Sequence, residues 1–218
     1  MILYGKKPMY KKIIYALENF HYLTKRELQG VCTNSLDYTN THFCTALCFH
    51  LTSAEIGINE NEVGLLYIYR DRNKLKSLTD KYVSVKRAMA KILIELNIKH
   101  NIGIKNYCFK NCKARDDFYL YIESRVKGKL VNFCIYYIPQ TSLKGFDKSA
   151  LLSFLEQHNK EDKIIFIADN ISYLKEIAVI TNEYGYINNI ANTYILPDDE
   201  ELIKNIYITE QYTIVPKK

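Results

Sequence analysis

Residues 22–31 of the chain read Tyr-Leu-Thr-Lys-Arg-Glu-Leu-Gln-Gly-Val. Thr24 stands directly before a helical pattern of apolar residues, and Glu27 follows three residues later, which is the spacing of a capping box. This stretch predicts a short extended piece at Leu23–Thr24 and a short second helix that begins directly after it. A first helix is predicted over residues 10–20, because its apolar residues recur at helical spacing.

A third helix and a β-hairpin are predicted next. Residues 33–39 are rich in Asn, Ser, Thr and Asp, as a turn is, and apolar residues at helical spacing then indicate a helix that starts near Asn40. Two β-prone runs, at residues 54–59 and 63–70, predict the hairpin. Three short helices followed by a hairpin is the order of a winged helix-turn-helix domain, which we assign to residues 1–73.

The positive charge of the chain is concentrated in its first half. Residues 1–100 hold 15 lysines and arginines against nine acids, whereas residues 101–218 hold 15 of each kind. The whole formal net charge of +6 therefore lies in the half that contains the three helices. The natural partner of such a domain is a polyanion, and we expect double-stranded DNA.

In a winged helix the third helix enters the major groove, so its exposed residues are expected at base edges and neighbouring cations at phosphates. The base-edge candidates are Asn40, Thr41, His42 and Thr45. The phosphate candidates are Lys25, Arg26, Arg70, Arg72, Lys74 and Lys81. The alternatives are that these polar residues only solvate a small helical domain, or that the module binds protein.

A connecting helix is predicted over residues 74–98, where apolar residues alternate spacings of three and four. These apolar residues form a heptad seam, as in a dimerising coiled coil, and they are Leu75, Leu78, Tyr82, Val85, Met89, Ile92 and Leu96. In a parallel pair of such helices, however, Lys81 would face Lys86 of the other helix, and no opposite charge would balance them. We therefore favour a helix that docks on its own domain and keep a homodimer as the alternative. Its exposed side is expected to carry Lys74, Lys76, Lys81, Lys86, Arg87 and Lys91.

Residues 99–218 predict a second, α/β domain with a mixed sheet. Period-two patterns indicate three strands up to Tyr137, with Lys127-Gly128 at the turn between the second and the third. Helices and strands then alternate, beginning at Asp147, Ile164, Ile171 and Tyr194. The chain as a whole is expected to be an α+β protein whose C-terminal domain resembles a degenerate restriction-endonuclease-like core and serves dimerisation or partner binding.

That core raises a metal-dependent nuclease as one alternative function, with Asp116, Asp117 and Glu123 as its catalytic acids. Such a fold holds a divalent metal between an acid on one strand and an acid-x-Lys on the next. The predicted third strand, residues 130–138, contains neither, and Glu123 lies on the same strand as Asp117. A lone carboxylate pair does not fix and activate a metal-bound water, so we predict a protein that is not an enzyme and needs no cofactor.

Several stretches carry a resemblance to a known family. They are Lys11-Lys12-Ile13-Ile14-Tyr15-Ala16-Leu17, Tyr22-Leu23-Thr24, Phe133-Cys134-Ile135-Tyr136-Tyr137-Ile138-Pro139 and residues 164–169. In this order the chain resembles the replication-relaxation family of plasmid and integrative-element proteins of Gram-positive bacteria. The resemblance implies DNA binding in the control of replication or mobilisation, and transcription control would use the same module. A second alternative is a phage or plasmid inhibitor that binds a host nucleic-acid enzyme.

Two further places in the sequence carry residues that could bind a metal or a ligand. Cys44 and Cys48 are one helical turn apart between two histidines, as in a zinc site, but a buried thiol pair in the helix core is the interpretation we favour. Asp169 follows a buried strand, where open α/β sheets place ligands. A cap of the next helix by Asp169, Asn170 or Ser172 is the simpler interpretation.

The location of the protein is predicted from what its sequence lacks. No run approaches the roughly 18 consecutive apolar residues of a membrane span, and the first residues lack the apolar core of a signal peptide. We therefore expect a cytoplasmic protein without a membrane partner, whose six cysteines are reduced thiols.

Overall fold

The computed structural model describes residues 7–33, 36, 40–59, 64–112, 118–138, 147–158, 162–196, 203–208 and 214–216. The protein is α+β, as predicted, and it divides into two compact units, Met1–Asn106 and Tyr107–Lys218. The predicted division, before residue 99, lies at the end of the last helix of the first unit. None of the helices in the described ranges combines the length and the hydrophobicity that a transmembrane span requires.

The described part of the first unit contains helices and one small sheet. Its elements are α1 (Met9–Phe20), β1 (Leu23–Thr24), α2 (Lys25–Cys32), α3 (Thr41–Thr52), β2 (Ile56–Asn59), β3 (Leu65–Ile68), a 3-10 turn (Tyr69–Asp71), α4 (Arg72–Leu75) and α5 (Asp80–Ile98). The three strands are antiparallel in the order β1-β3-β2, with Leu23 opposite Leu66 and Ile56 opposite Ile68. The predicted order of three helices and a hairpin is observed.

The capping box at the start of α2 is formed as predicted. Thr24 Oγ1 accepts a hydrogen bond from the backbone N–H of Glu27 at 3.2 Å, and the backbone N–H of Thr24 donates to Glu27 Oε2 at 2.9 Å. The same buried carboxylate pairs with Arg87 of α5, through Nε to Oε2 at 3.2 Å and Nη2 to Oε1 at 3.1 Å. One side chain therefore begins α2 and holds α5 against it.

Helix α5 packs on α1 and α2 of its own unit. It begins at Asp80 rather than at the predicted residue 74, because Thr79 Oγ1 accepts the backbone N–H of Tyr82 at 3.2 Å and caps the helix. Leu75 belongs to α4, so the apolar seam is not one continuous helix. The buried apolar residues of α5 are Val85, Ala88, Met89, Ala90, Ile92, Leu93 and Leu96. This stripe is wider than a heptad seam and is typical of a helix docked on a domain.

Lys86 departs from the predicted row of exposed cations. Only 4% of the residue is exposed, and its Nζ donates to the backbone oxygen of Asn19, in the last turn of α1, at 2.6 Å. Burial, and then the charge of Lys74, lowers the pKa of Lys86 to about 7. The amine thus satisfies a carbonyl at the end of α1, while the aliphatic stem extends the buried stripe of α5.

The second unit is built on one mixed sheet, as predicted. Its described elements are the part of β4 (Gly103–Asn111) from Tyr107 onward, β5 (Phe118–Val126), β6 (Lys129–Tyr137), α6 (Lys148–Glu156), β7 (Lys163–Ala168), α7 (Tyr173–Glu183), a 3-10 turn (Ile187–Asn189), β8 (Ile190–Ile195), β9 (Ile203–Ile208) and β10 (Ile214–Pro216). The strands lie side by side in chain order. The pairs β6-β7 and β7-β8 are parallel, whereas β5-β6, β8-β9 and β9-β10 are antiparallel. Strands β9 and β10 are not among the elements predicted from the sequence.

Helices α6 and α7 contribute to the core on one face of this sheet. Phe154 of α6 stacks on Tyr136 of β6, with ring centroids 4.2 Å apart, and meets Phe166 of β7 edge-on at 6.2 Å. Leu174 and Ile177 of α7 belong to the same cluster. Every residue from Ile164 to Ala168 is at most 1% exposed, which confirms a strand buried on both faces.

Glu27→Ala removes the capping-box acceptor and leaves the guanidinium of Arg87 buried without its carboxylate. Removing one partner of a buried ion pair typically costs about 3–5 kcal/mol, so we expect the free energy of unfolding to fall by about that amount. Urea denaturation followed by circular dichroism measures it. Glu18→Ala is the matched control, because the Glu18–Arg70 pair is exposed and such pairs contribute less than about 1 kcal/mol. Equal effects of the two changes would contradict the role of Glu27.

Lys86 gives the first unit a pH-dependent stability. Its pKa is 10.5 in the unfolded chain and about 7 in the folded one, so between these values the unfolded state binds more protons. The stability contributed by this group therefore rises with pH above about 7. We therefore expect the unfolding free energy of the wild type to rise relative to that of Lys86→Met between pH 7 and about pH 8.5. A constant difference over that window, measured by urea denaturation, would show that Lys86 does not titrate there.

Candidate nucleic-acid interface

Helix α3 is fixed to the first unit by one side only. Its buried residues are Phe43, Leu47 and His50, and Asn40 caps its first turn, because Asn40 Oδ1 accepts the backbone N–H of Phe43 at 3.0 Å. The exposed residues on the other side are Thr41, His42, Thr45, Cys48, Phe49 and Thr52. Three of the four predicted base-edge residues therefore share an exposed surface, whereas the amide oxygen of Asn40 is occupied by the cap.

His50 ties the C-terminal end of α3 to neighbouring segments. Its Nε2 lies 3.0 Å from the backbone oxygen of Tyr10 in α1, and its Nδ1 lies 2.5 Å from Glu55 Oε2. Both ring nitrogens are therefore engaged in structural contacts. Among the residues that the structure describes, no three His, Cys, Asp or Glu side chains lie close enough together to hold a metal ion.

A groove of about 260 Å³ runs beside α3. The described residues that line it are Lys25, Cys44, Leu47, Cys48, Leu51, Ile58, Gly64 and Leu66. Cys44 is half-buried and Cys48 is exposed, so the expectation of a buried thiol pair is wrong. The reason is helical geometry, because Phe43, Leu47 and His50 take the inner side and turn both cysteines toward the groove.

Lys25 and Arg26 form a pair of neighbouring cations at the start of α2. Both are exposed in the first turn of α2, and Lys25 lines the groove together with Cys44 and Cys48 of α3. Glu27 is held in place by the capping box and by Arg87, so the backbone of the two preceding residues is fixed as well. Lys25 thus lies in the groove beside α3, and Arg26 is exposed next to it in sequence.

A second group of cations surrounds the end of α1. Burial, then the charges of Lys86 and Lys74, lowers the pKa of His21 to about 4. The His21 ring stacks on Tyr82 at a centroid distance of 6.0 Å, next to the exposed Lys81. Burial is the main cause of this lowered pKa, and the two lysine charges act in the same direction. The chain then passes through only three residues before it reaches Lys25.

Arg70 lies at the other end of α3. Its Nη2 contacts Glu18 Oε1 at 2.9 Å, and it shares a cavity of about 270 Å³ with Glu55, which follows the last turn of α3. Since 12 helical residues span about 18 Å, Arg70 is remote from Thr41. Arg72 and Lys74 are exposed in α4. The structure therefore does not bring all predicted phosphate residues to one place.

The candidate nuclease residues form no described cluster. Glu123 lies on β5 opposite Asn132 of β6, and it is half-buried. Asp116 and Asp117 lie outside the described residues. The predicted acidic candidates therefore remain a prediction from the sequence.

Asp169 does not cap the helix that follows it. Its Oδ2 accepts a hydrogen bond from the hydroxyl of Tyr137 at 2.5 Å, across the ends of two parallel strands. Ser172 stands at the N-cap of α7 without a side-chain cap, and Asn170 Oδ1 accepts the backbone N–H of Ser172 at 2.9 Å. The capping interpretation is therefore wrong for Asp169, which lies before the N-cap position and bonds a tyrosine of the adjacent strand. It is also wrong for the side chain of Ser172, which makes no capping hydrogen bond.

Two exposed apolar residues of the first unit are not among the site residues predicted from the sequence. Phe49 of α3 is 61% exposed and Ile58 of β2 is 53% exposed. The sequence of α3 does indicate such exposure, because its apolar residues occupy more than the single side that a docked helix needs to bury.

Comparison of the chain with known protein families and with curated proteins gives no match.

Proposed function

We propose that the protein is a non-enzymatic DNA-binding protein whose first unit is a winged helix-turn-helix module. The observation that carries the proposal is the exposed side of α3, with Lys25 in the groove beside it and Arg26 exposed next to Lys25 in the first turn of α2. The order of elements and the strand order β1-β3-β2 support it. The concentration of positive charge in this half of the chain supports it further.

The docking geometry follows from the size of the DNA grooves. The major groove is about 12 Å wide and admits one α-helix, so α3 enters it with its whole exposed side, which includes Thr41, His42 and Thr45, toward the base edges. Lys25 and Arg26 then face the phosphates beside the groove. The cations around the end of α1, Lys74 and Lys81, extend the phosphate surface further along the backbone.

The second unit has a different role in this proposal. Residues 107–218 hold 14 lysines and arginines against 15 acids, so this unit has no charge excess that favours a polyanion. It dimerises the protein or recruits another protein. The resemblance to the replication-relaxation family supports a function in the replication, mobilisation or transcription control of a plasmid, an integrative element or a phage in the bacterial cytoplasm.

Lys25→Gln combined with Arg26→Gln tests the interface. Each phosphate contact contributes about 0.9 to the slope of log affinity against log salt concentration, so losing two contacts is expected to lower the slope by about 2. Fluorescence anisotropy with a random-sequence duplex at several salt concentrations, with magnesium present, measures both the affinity and the slope. Circular dichroism checks that the variant is folded.

The matched control is Arg125→Gln combined with Lys129→Gln, which removes the same charge from exposed positions of the second unit. We expect this control to keep the wild-type slope. An equal loss in both double variants would show that net charge alone attracts DNA. No binding by the wild-type protein at low salt would overturn the proposal in favour of a protein partner. Cleaved DNA on a gel would favour the nuclease alternative.

A further inference from the structure

The chemistry of α3 restricts how it recognises base pairs. Its sequence is Thr-His-Phe-Cys-Thr-Ala-Leu-Cys-Phe-His-Leu-Thr, which contains no Lys, Arg, Asp, Glu, Asn or Gln. The Asn40 amide that precedes it is used in the helix cap. The helix therefore lacks the side chains that read guanine and adenine by paired hydrogen bonds, which are Arg or Lys and Asn or Gln respectively.

The exposed side of α3 instead presents methyl groups and an aromatic ring. Thr52 Oγ1 donates to the backbone oxygens of Cys48 and Phe49, each at 2.9 Å, so its hydroxyl is directed to the helix and its methyl group is available. Cys48 and Thr45 are exposed one and two turns earlier, respectively, and Phe49 is 61% exposed. Thr methyl groups and Phe rings are the groups that contact the 5-methyl group of thymine.

The apolar surface continues from α3 onto the hairpin, where Ile58 is exposed at the rim of the groove. Lys25 lines the same groove, and Arg26 is exposed next to it in the first turn of α2. An apolar surface alone would fit a protein partner equally well. The cations at its edge favour a ligand that combines methyl groups with negative charge, and the major groove of A·T-rich DNA has both.

We infer that α3 recognises thymine through its 5-methyl group, with Thr45, Phe49 and Thr52 as the contacting residues, so that the preferred sites are rich in A·T pairs. The inference rests on the proposed DNA-binding function and names the base that the interface selects. Each methyl group removed from water contributes about fourfold in affinity. Two or three such contacts therefore separate thymine from uracil by at least about tenfold.

The experiment compares one A·T duplex with the same duplex in which deoxyuridine replaces every thymidine. This replacement removes the major-groove methyl groups and keeps the phosphates and base-pair hydrogen bonds. Anisotropy titrations at several salt concentrations are expected to give at least about tenfold weaker binding to the uracil duplex, with an unchanged salt slope. A G·C duplex should gain affinity when 5-methylcytosine replaces cytosine.

Two variants separate base selection from phosphate binding. Phe49→Ala combined with Thr45→Ser removes the ring and one methyl group but keeps the hydroxyl, and it should lower the thymine-to-uracil ratio without changing the salt slope. Lys25→Gln combined with Arg26→Gln should lower the slope and keep the ratio. Salt-dependent binding with equal affinity for both duplexes would overturn the inference and leave the proposed function intact. Failure to bind any duplex would overturn both and indicate a protein partner for the apolar surface.

Discussion

The first unit depends on the carboxylate of Glu27. A buried charge is tolerated only when hydrogen bonds and an opposite charge replace the lost water, and Glu27 has both. Its Oε2 accepts the backbone N–H of Thr24 and Arg87 Nε, while Oε1 accepts Arg87 Nη2. Because Lys25 and Arg26 stand directly between Thr24 and Glu27, the contact that docks α5 also fixes two cations on the surface. Stability and the proposed interface are therefore linked at the start of α2.

Features of the fold that depend on neighbouring residues could be predicted from the sequence. The predicted helix starts near Thr24, Asn40 and Asp147 are of this kind, because each start is fixed by a side chain that bonds a backbone group three residues away, within one turn. The ion-pair partner of Glu27 is Arg87, 60 residues further along the chain, and the residues around Glu27 do not indicate it. The start of α5 was misplaced for a related reason, because the apolar spacing continues across Thr79 although the helix does not.

The candidate site likewise combines features that follow from neighbouring residues with features that depend on distant contacts. Thr41, His42 and Thr45 could be placed on an exposed surface because the apolar period of α3 defines its inner side. Arg70 could not be separated from them, since its position near Glu18 follows from how α1 packs against the hairpin and α3. The groove is likewise tertiary, as its lining comes from α2, α3 and both strands of the hairpin.

The positive charge counted in the sequence exceeds the charge that a ligand meets. Lys86 is buried against the end of α1 and Arg87 is paired with Glu27, so two members of the predicted cationic row serve packing. Helix α3 itself carries no Lys, Arg, Asp or Glu, whereas Lys25 lines the groove beside it. Phosphate attraction weakens as salt is added, whereas contacts between apolar groups do not. A helix without charge, bordered by lysine and arginine, thus separates the two tasks: the cations supply attraction to any duplex, and the apolar side of α3 supplies the discrimination between bases.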